Sequence, residues 1–226
     1  MKLVIFDCDG TIVDSQHIIF AAMAAAFTAH GLVVPPRETV LAIVGLSLVE
    51  AVERLLPGGD PGLIQQVTQS YRDAFGTLRQ DPAHNEPLFP GARETLEHLA
   101  RRGDVVLGVA TGKSRRGVDR LFEREGLGDL FRTIQTADAH PSKPHPSMIQ
   151  VAMAEVGALA ERTVMVGDTT FDIEMALGAG AAAIGVTWGY HPPDALVAAG
   201  AHGLVEEYAH LVETVDRLLA AREEGA

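Results

Sequence analysis

The stretch VIFDCDGTIVDS, Val4–Ser15, closes the apolar run Leu3–Phe6 with two aspartates one residue apart. Gly10-Thr11 and a third aspartate, Asp14, follow. The apolar run reads as a strand buried on both faces. If the extended conformation persists, Asp7 and Asp9 share one side and Cys8 points away. Like charges repel, and each loses water in a pocket, so something else in the chain must offset that cost.

Downstream of Asp14 the pattern is helical. Segments from about 15 to 30, 38 to 44, 47 to 56 and 63 to 79 have helical spacing, and no convincing strand falls before Pro87. Ser47-Leu48-Val49-Glu50 matches a capping box, and Asp60-Pro61 sets an N-cap before a proline at the first helical position. Asp14 and Ser15 read as the cap of the first of these helices. From Leu88 the pattern changes to helices alternating with strands, at 105–110, 133–136, 163–166 and 182–186. That alternation predicts a parallel sheet. The expected fold is α/β: a doubly wound, Rossmann-like parallel sheet formed by residues 1–14 and 88–226, with a small all-helical cap, 15–87, inserted after the first strand.

Open α/β sheets bind ligands beyond the carboxyl ends of their strands. Four polar clusters fall there: Asp7-Cys8-Asp9-Gly10-Thr11, Thr111-Gly112-Lys113-Ser114, Ser142-Lys143-Pro144, and Gly167-Asp168 with Asp172. Asp7, Asp9 and Asp168 place carboxylates at one edge, and a hard divalent cation is the natural counter-charge, with Mg2+ favoured when a substrate carries phosphate. A carboxylate can attack phosphorus while a neighbour moves a proton. Thr111, the backbone at Gly112 and Lys143 supply donors for a phosphoryl group. Taken singly, each cluster reads more simply: Asp172 as first-turn helix charge, Lys113 as a surface lysine, Cys8 as a small packing residue.

Together, in this order and at these separations, the clusters resemble the four motifs of the haloacid dehalogenase superfamily, in its phosphoglycolate phosphatase-like branch. The resemblance implies that Asp7 is the nucleophile and a Mg2+ ligand. Asp9 is then the general acid/base, holding Mg2+ through its backbone carbonyl, and Asp168 is the third metal ligand. Thr111 and Lys143 bind the phosphoryl group together with Gly10, Thr11 and Gly112, and Asp172 is a supporting acid. Gly45 and Ser47, at a junction between cap helices, face the site. The implied reaction is Mg2+-dependent hydrolysis of a small phosphorylated metabolite through an aspartyl phosphate, with phosphoglycolate the leading substrate. The alternatives are a sugar-phosphate mutase and a non-enzymatic phospho-Asp signalling module. Leu48, where mutases of this superfamily tend to carry a basic residue, speaks against the first; the helical insertion speaks against the second.

The totals fit this reading. Eighteen Lys and Arg against 30 Asp and Glu give a net charge of -12, unsuited to nucleic acid. The single cysteine allows no internal disulfide, and the N-terminal apolar run is shorter than the ~7–15 residues of a signal-peptide core. No membrane partner and a cytoplasmic location are expected.

Overall fold

The computed structural model describes residues 1–224. The elements run β1 (Lys2–Phe6), α1 (Gln16–Ala29), α2 (Arg37–Leu41), α3 (Leu48–Leu55), α4 (Pro61–Leu78), α5 (Ala92–Ala100), β2 (Val105–Thr111), α6 (Arg115–Glu125), β3 (Phe131–Thr136), α7 (Ser147–Val156), β4 (Thr163–Gly167), α8 (Thr170–Gly178), β5 (Ala182–Val186), α9 (Pro193–Ala198), β6 (Gly203–Val205) and α10 (Leu211–Glu224). Among the described residues the strands form one parallel sheet in the order β3-β2-β1-β4-β5-β6. Among the described residues no helix is long and apolar enough to cross a membrane.

The pleat of β1 explains why its sequence is uninterruptedly apolar. Val4 and Phe6 pack on one face, with Leu96 of α5, Phe122 of α6 and Val215 of α10. Leu3 and Ile5 pack on the other, with Ile149 of α7 and Ile173 of α8. Helices on both faces leave no room for an alternating polar pattern.

Between β1 and α5 the chain is helical, with a separate apolar cluster of its own. Met23 and Phe27 of α1, Val40, Val52 of α3, and Ile64 and Val67 of α4 form it. Val13 bridges to Leu88, and the Asp14 N–H donates to the Pro87 carbonyl at 2.9 Å, so the two connections to the sheet run side by side.

Local chemistry agrees with the sequence in some places and departs from it in others. Asp60 caps α4 through the Leu63 N–H, with Pro61 behind it as expected. The capping box at Ser47 does not form: Ser47 sits at the N-cap of α3, but its side chain makes no cap bond. Ser15 likewise stands before α1 without capping it, because its hydroxyl is spent on the Tyr190 hydroxyl, 3.0 Å away. Helix α2 ends at Leu41, short of the expected Val44, as the chain turns toward Gly45 at φ +101°. Elements α9, β6 and α10 lie beyond the last strand read from sequence.

Phe27 is 1% exposed at the centre of the helical cluster. Phe27→Ala is expected to cost about 3–5 kcal/mol in urea unfolding; a loss under about 1 kcal/mol would show that this cluster is not tightly packed.

Candidate active site

Strand order decides where the acids meet. β1 lies between β2 and β4, so the carboxyl ends of these strands adjoin. The strand ends at Phe6, one residue before the first aspartate. Asp7 still pairs through its N–H with the Val166 carbonyl, and the chain then coils so that Thr11, Ile12 and Val13 N–H groups converge on the Cys8 carbonyl. Cys8 is thereby turned into the core, as a packing residue should be, while Asp7 and Asp9 both line one cavity. The shared side expected of a pleat is thus produced by a turn.

Asp7 is 1% exposed. Its Oδ1 accepts the Cys8 N–H at 2.7 Å, and Oδ2 lies 3.1 Å from Lys143 Nζ without a well-aligned donor. Burial pushes its pKa up to about 6; Lys143 opposes this, and the Asp172 carboxylate adds to it. Asp168 accepts from the Thr11 hydroxyl at 2.8 Å and from the Tyr190 N–H at 2.9 Å. Burial, then Asp172 and Asp7, hold its carboxyl well above the usual range. Lys143 is fully buried and pairs with Asp172 at 2.6 Å as well as with Asp7. Burial opposes its charge, but the two carboxylates outweigh burial and hold its pKa above the ordinary lysine value. Lys143 is joined to Pro144 by a cis peptide bond.

Carboxylate oxygens of Asp7, Asp168 and Asp172 lie within 4.8 Å of one another. Three buried acids against one lysine leave excess negative charge, costly without a counter-ion, and an all-oxygen donor set fits a hard divalent cation. Asp172 is the member least free to bind it. Its Oδ1 takes Lys143, and its Oδ2 takes both the Thr169 N–H and hydroxyl in the capping box that opens α8. The first-turn position read from sequence for Asp172 is the one it occupies in α8. Gly10, at φ +83°, stands against Asp168 so closely that any Cβ would collide with the carboxylate. Thr11 differs from its expected place: its hydroxyl holds Asp168 and its carbonyl accepts from Trp188 and Tyr208, so its side chain supports an acid and does not reach toward a phosphoryl group.

The other wall is set by β2. Thr111 is buried, and its hydroxyl accepts the Lys113 N–H. A side chain on Gly112 would lie 2.6 Å from the Leu46 carbonyl, so only glycine lets the Gly45–Ser47 turn reach the end of β2. Gly45 and Ser47 line the cavity, and the Ser47 N–H donates to Ser142 Oγ at 2.8 Å, next to Lys143. Lys113 corrects the surface reading. Its side chain is 9% exposed and pairs with Asp9 Oδ1 at 2.8 Å and Glu86 Oε1 at 2.7 Å. Burial opposes its charge, and Asp9 and Glu86 more than restore it. Sequence reasoning missed Glu86, which carries no local signal, and Thr169, whose position three before Asp172 is a capping-box spacing.

The model of the haloacid dehalogenase-like hydrolases matches residues 4–186. The chain belongs to that family. This agrees with the resemblance carried by the four clusters, and makes the chain an enzyme. It is 39% identical over 221 residues to probable phosphatase IndB of Dickeya dadantii, covering 96% of this chain and 94% of that protein. A phosphoglycolate phosphatase of Synechococcus elongatus is 30% identical, with 97% and 99% covered, and one of Pseudomonas putida 31%, with 84% and 71% covered. A crystal structure of a hydrolase from Pseudomonas syringae superposes with TM-score 0.84 at 23% identity, over 96% of this chain and 99% of that one.

The raised Asp7 pKa sets a sign for stability. Protonated Asp7 is favoured in the folded state, so its contribution is present below pH 3.8 and is lost as pH rises through about 6. Without divalent metal, stability should fall between pH 4 and 7 by roughly 2–3 kcal/mol from this residue. Asp7→Asn should flatten that part of the curve in urea titrations; parallel curves for the two proteins would contradict it.

Proposed function

We propose that the protein hydrolyses phosphate monoesters of small metabolites through a phosphorylated Asp7. The observation that carries this is the buried cluster of Asp7, Asp168 and Asp172 around Lys143, beside a cavity of 480 Å³ that Asp7 and Asp9 line. Asp7, Asp168 and the Asp9 backbone carbonyl would hold Mg2+, which supplies counter-charge for the phosphoryl oxygens.

Asp7 attacks phosphorus, forming an acyl phosphate as the ester P–O bond breaks. Asp9 gives its proton to the departing alkoxide, then takes one from the water that attacks the acyl phosphate, so phosphate leaves and Asp7 is regenerated. Asp9 Oδ1 is engaged by Lys113, which leaves Oδ2 to carry that proton. Lys143 offsets the charge of Asp7 and, with Thr111 and Gly112, receives the phosphoryl oxygens. Residues 15–87 act as a cap, with Gly45 and Ser47 presented to the substrate and the paired connections at 13–14 and 87–88 as the hinge. Phosphoglycolate is the leading substrate, supported by the relatives in Synechococcus elongatus and Pseudomonas putida that carry that name. Leu48 lines the cavity without a charge, which leaves the mutase reading unsupported there.

With Mg2+ and an aryl phosphate, Asp7→Asn should abolish turnover while circular dichroism stays native; retained activity would remove Asp7 as nucleophile. Chelation should stop the reaction and Mg2+ restore it. Asp9→Asn should lower kcat by about 10²–10⁴-fold, and a near-normal rate would transfer the proton role to another group.

A further inference from the structure

The cavity does not end at the acids. It runs outward between α4 and α6, and its outer wall carries Arg72, Arg79, Arg116 and Arg120. Arg79 and Arg120 also line a neighbouring hollow of 290 Å³. Arg72 is on α4 and Arg79 caps its C-terminal end, seven residues on, and Arg116 and Arg120 are four apart on α6. The two helices turn their arginines toward the same opening.

The protein carries a net charge of -12, and Arg54, Arg93, Arg101, Arg102, Arg115 and Arg124 each pair with a carboxylate. Among the described residues Arg72, Arg79, Arg116 and Arg120 have no such partner, and Arg79 bonds only the Gly76 carbonyl, through Nε at 3.3 Å. Two acids that line the same cavity have other partners: Asp9 pairs with Lys113, and Asp138 accepts the Arg115 N–H. Loss of water, then Arg79 and Arg116, hold Arg120 below its usual range. Like charges gathered without a counter-charge destabilise the protein that gathers them. The missing counter-charge has room beside them, in a space continuous with Asp7 and Asp9. A two-carbon ester such as phosphoglycolate would fill a small part of that space.

We propose that Arg72, Arg79, Arg116 and Arg120 form a second anion subsite, so that the preferred substrates are phosphate monoesters whose leaving group ends in a remote carboxylate or phosphate. This rests on the phosphatase reading above and specifies its substrate class. The phosphoryl end reaches Asp7; the far anion replaces the absent acid partners of the arginines, whose planar forks suit either group.

The test uses the whole protein with Mg2+ and three ester series of increasing carbon chain length: ω-carboxyalkyl phosphates, with phosphoglycolate the shortest, alkyl phosphates, and α,ω-bisphosphates. The expected result is a kcat/KM preference of about 10-fold or more for doubly anionic over alkyl esters of equal chain length. Arg116→Ala/Arg120→Ala, on an exposed helix face, should collapse that ratio, as should Arg72→Ala/Arg79→Ala. The carboxylate and bisphosphate series tell the two anions apart. No preference in the wild type, or a preference unchanged in both double variants, overturns the subsite. If no ester turns over, the phosphatase reading falls, and titration calorimetry with the same esters decides the subsite: tighter binding of the doubly anionic esters, lost in the variants, upholds it, and equal binding overturns it.

Discussion

Lys143 is the point on which the site rests. A lysine with no exposure survives in a core only where acids surround it, and Asp7 and Asp172 do so at 3.1 and 2.6 Å. The dependence is mutual. Asp7 could not stand buried beside Asp168 and Asp172 without an internal cation. The ends of β1 and β4 and the loop before α7 are therefore tied together by charge. Removing the lysine would leave uncompensated acids, and removing either acid would leave a buried ammonium short of its counter-charge.

Much of this was legible because the apolar signal and the acid signal coincide. β1, β2, β4 and β5 are short runs ending in polar residues, and their parallel pairing follows from the helices between them. Asp7, Asp9, Asp168, Asp172 and Lys143 could be picked out from spacing and resemblance. What escaped was of another kind. Glu86 is a single acid in a connection, and only the fold brings it to Lys113. Tyr190 donates its N–H to Asp168 from beyond β5, a contact between residues 22 apart that no local pattern announces. Ser47 and Ser15 looked like helix caps, but tertiary partners, Ser142 and Tyr190, compete for these positions and win. Arg79, Arg116 and Arg120 escaped because they are scattered in sequence and are brought to one cavity only by the fold.

The acids divide by their surroundings. Around Asp7 and Asp168, burial and the neighbouring carboxylates favour a proton or a metal over bare charge, against Lys143 at Asp7 and the Thr11 and Tyr190 donors at Asp168. Asp9 is held by Lys113 at the edge of the cavity, where exchange with solvent is open. Residues with the same side chain are thereby set to different tasks by position alone, a separation the sequence could state only through resemblance.

The helical segment between β1 and α5 joins the sheet through two strands of chain lying against each other at Val13–Leu88. Elsewhere it is held by polar ties: Ser47 to Ser142, His191 to the Ala42 carbonyl at 3.1 Å, Ser15 to Tyr190, and the ion pair of Glu86 with Lys113. Its buried apolar residues belong to a cluster distinct from the two that sandwich the sheet. Such a piece resembles a door with its pins on one jamb and a light catch on the other. In the cap reading proposed above, swinging it away from the sheet would cost these polar ties and the packing of Tyr190 against the helical cluster, while the two clusters that sandwich the sheet stay whole, so the catch sets the threshold for admitting a ligand.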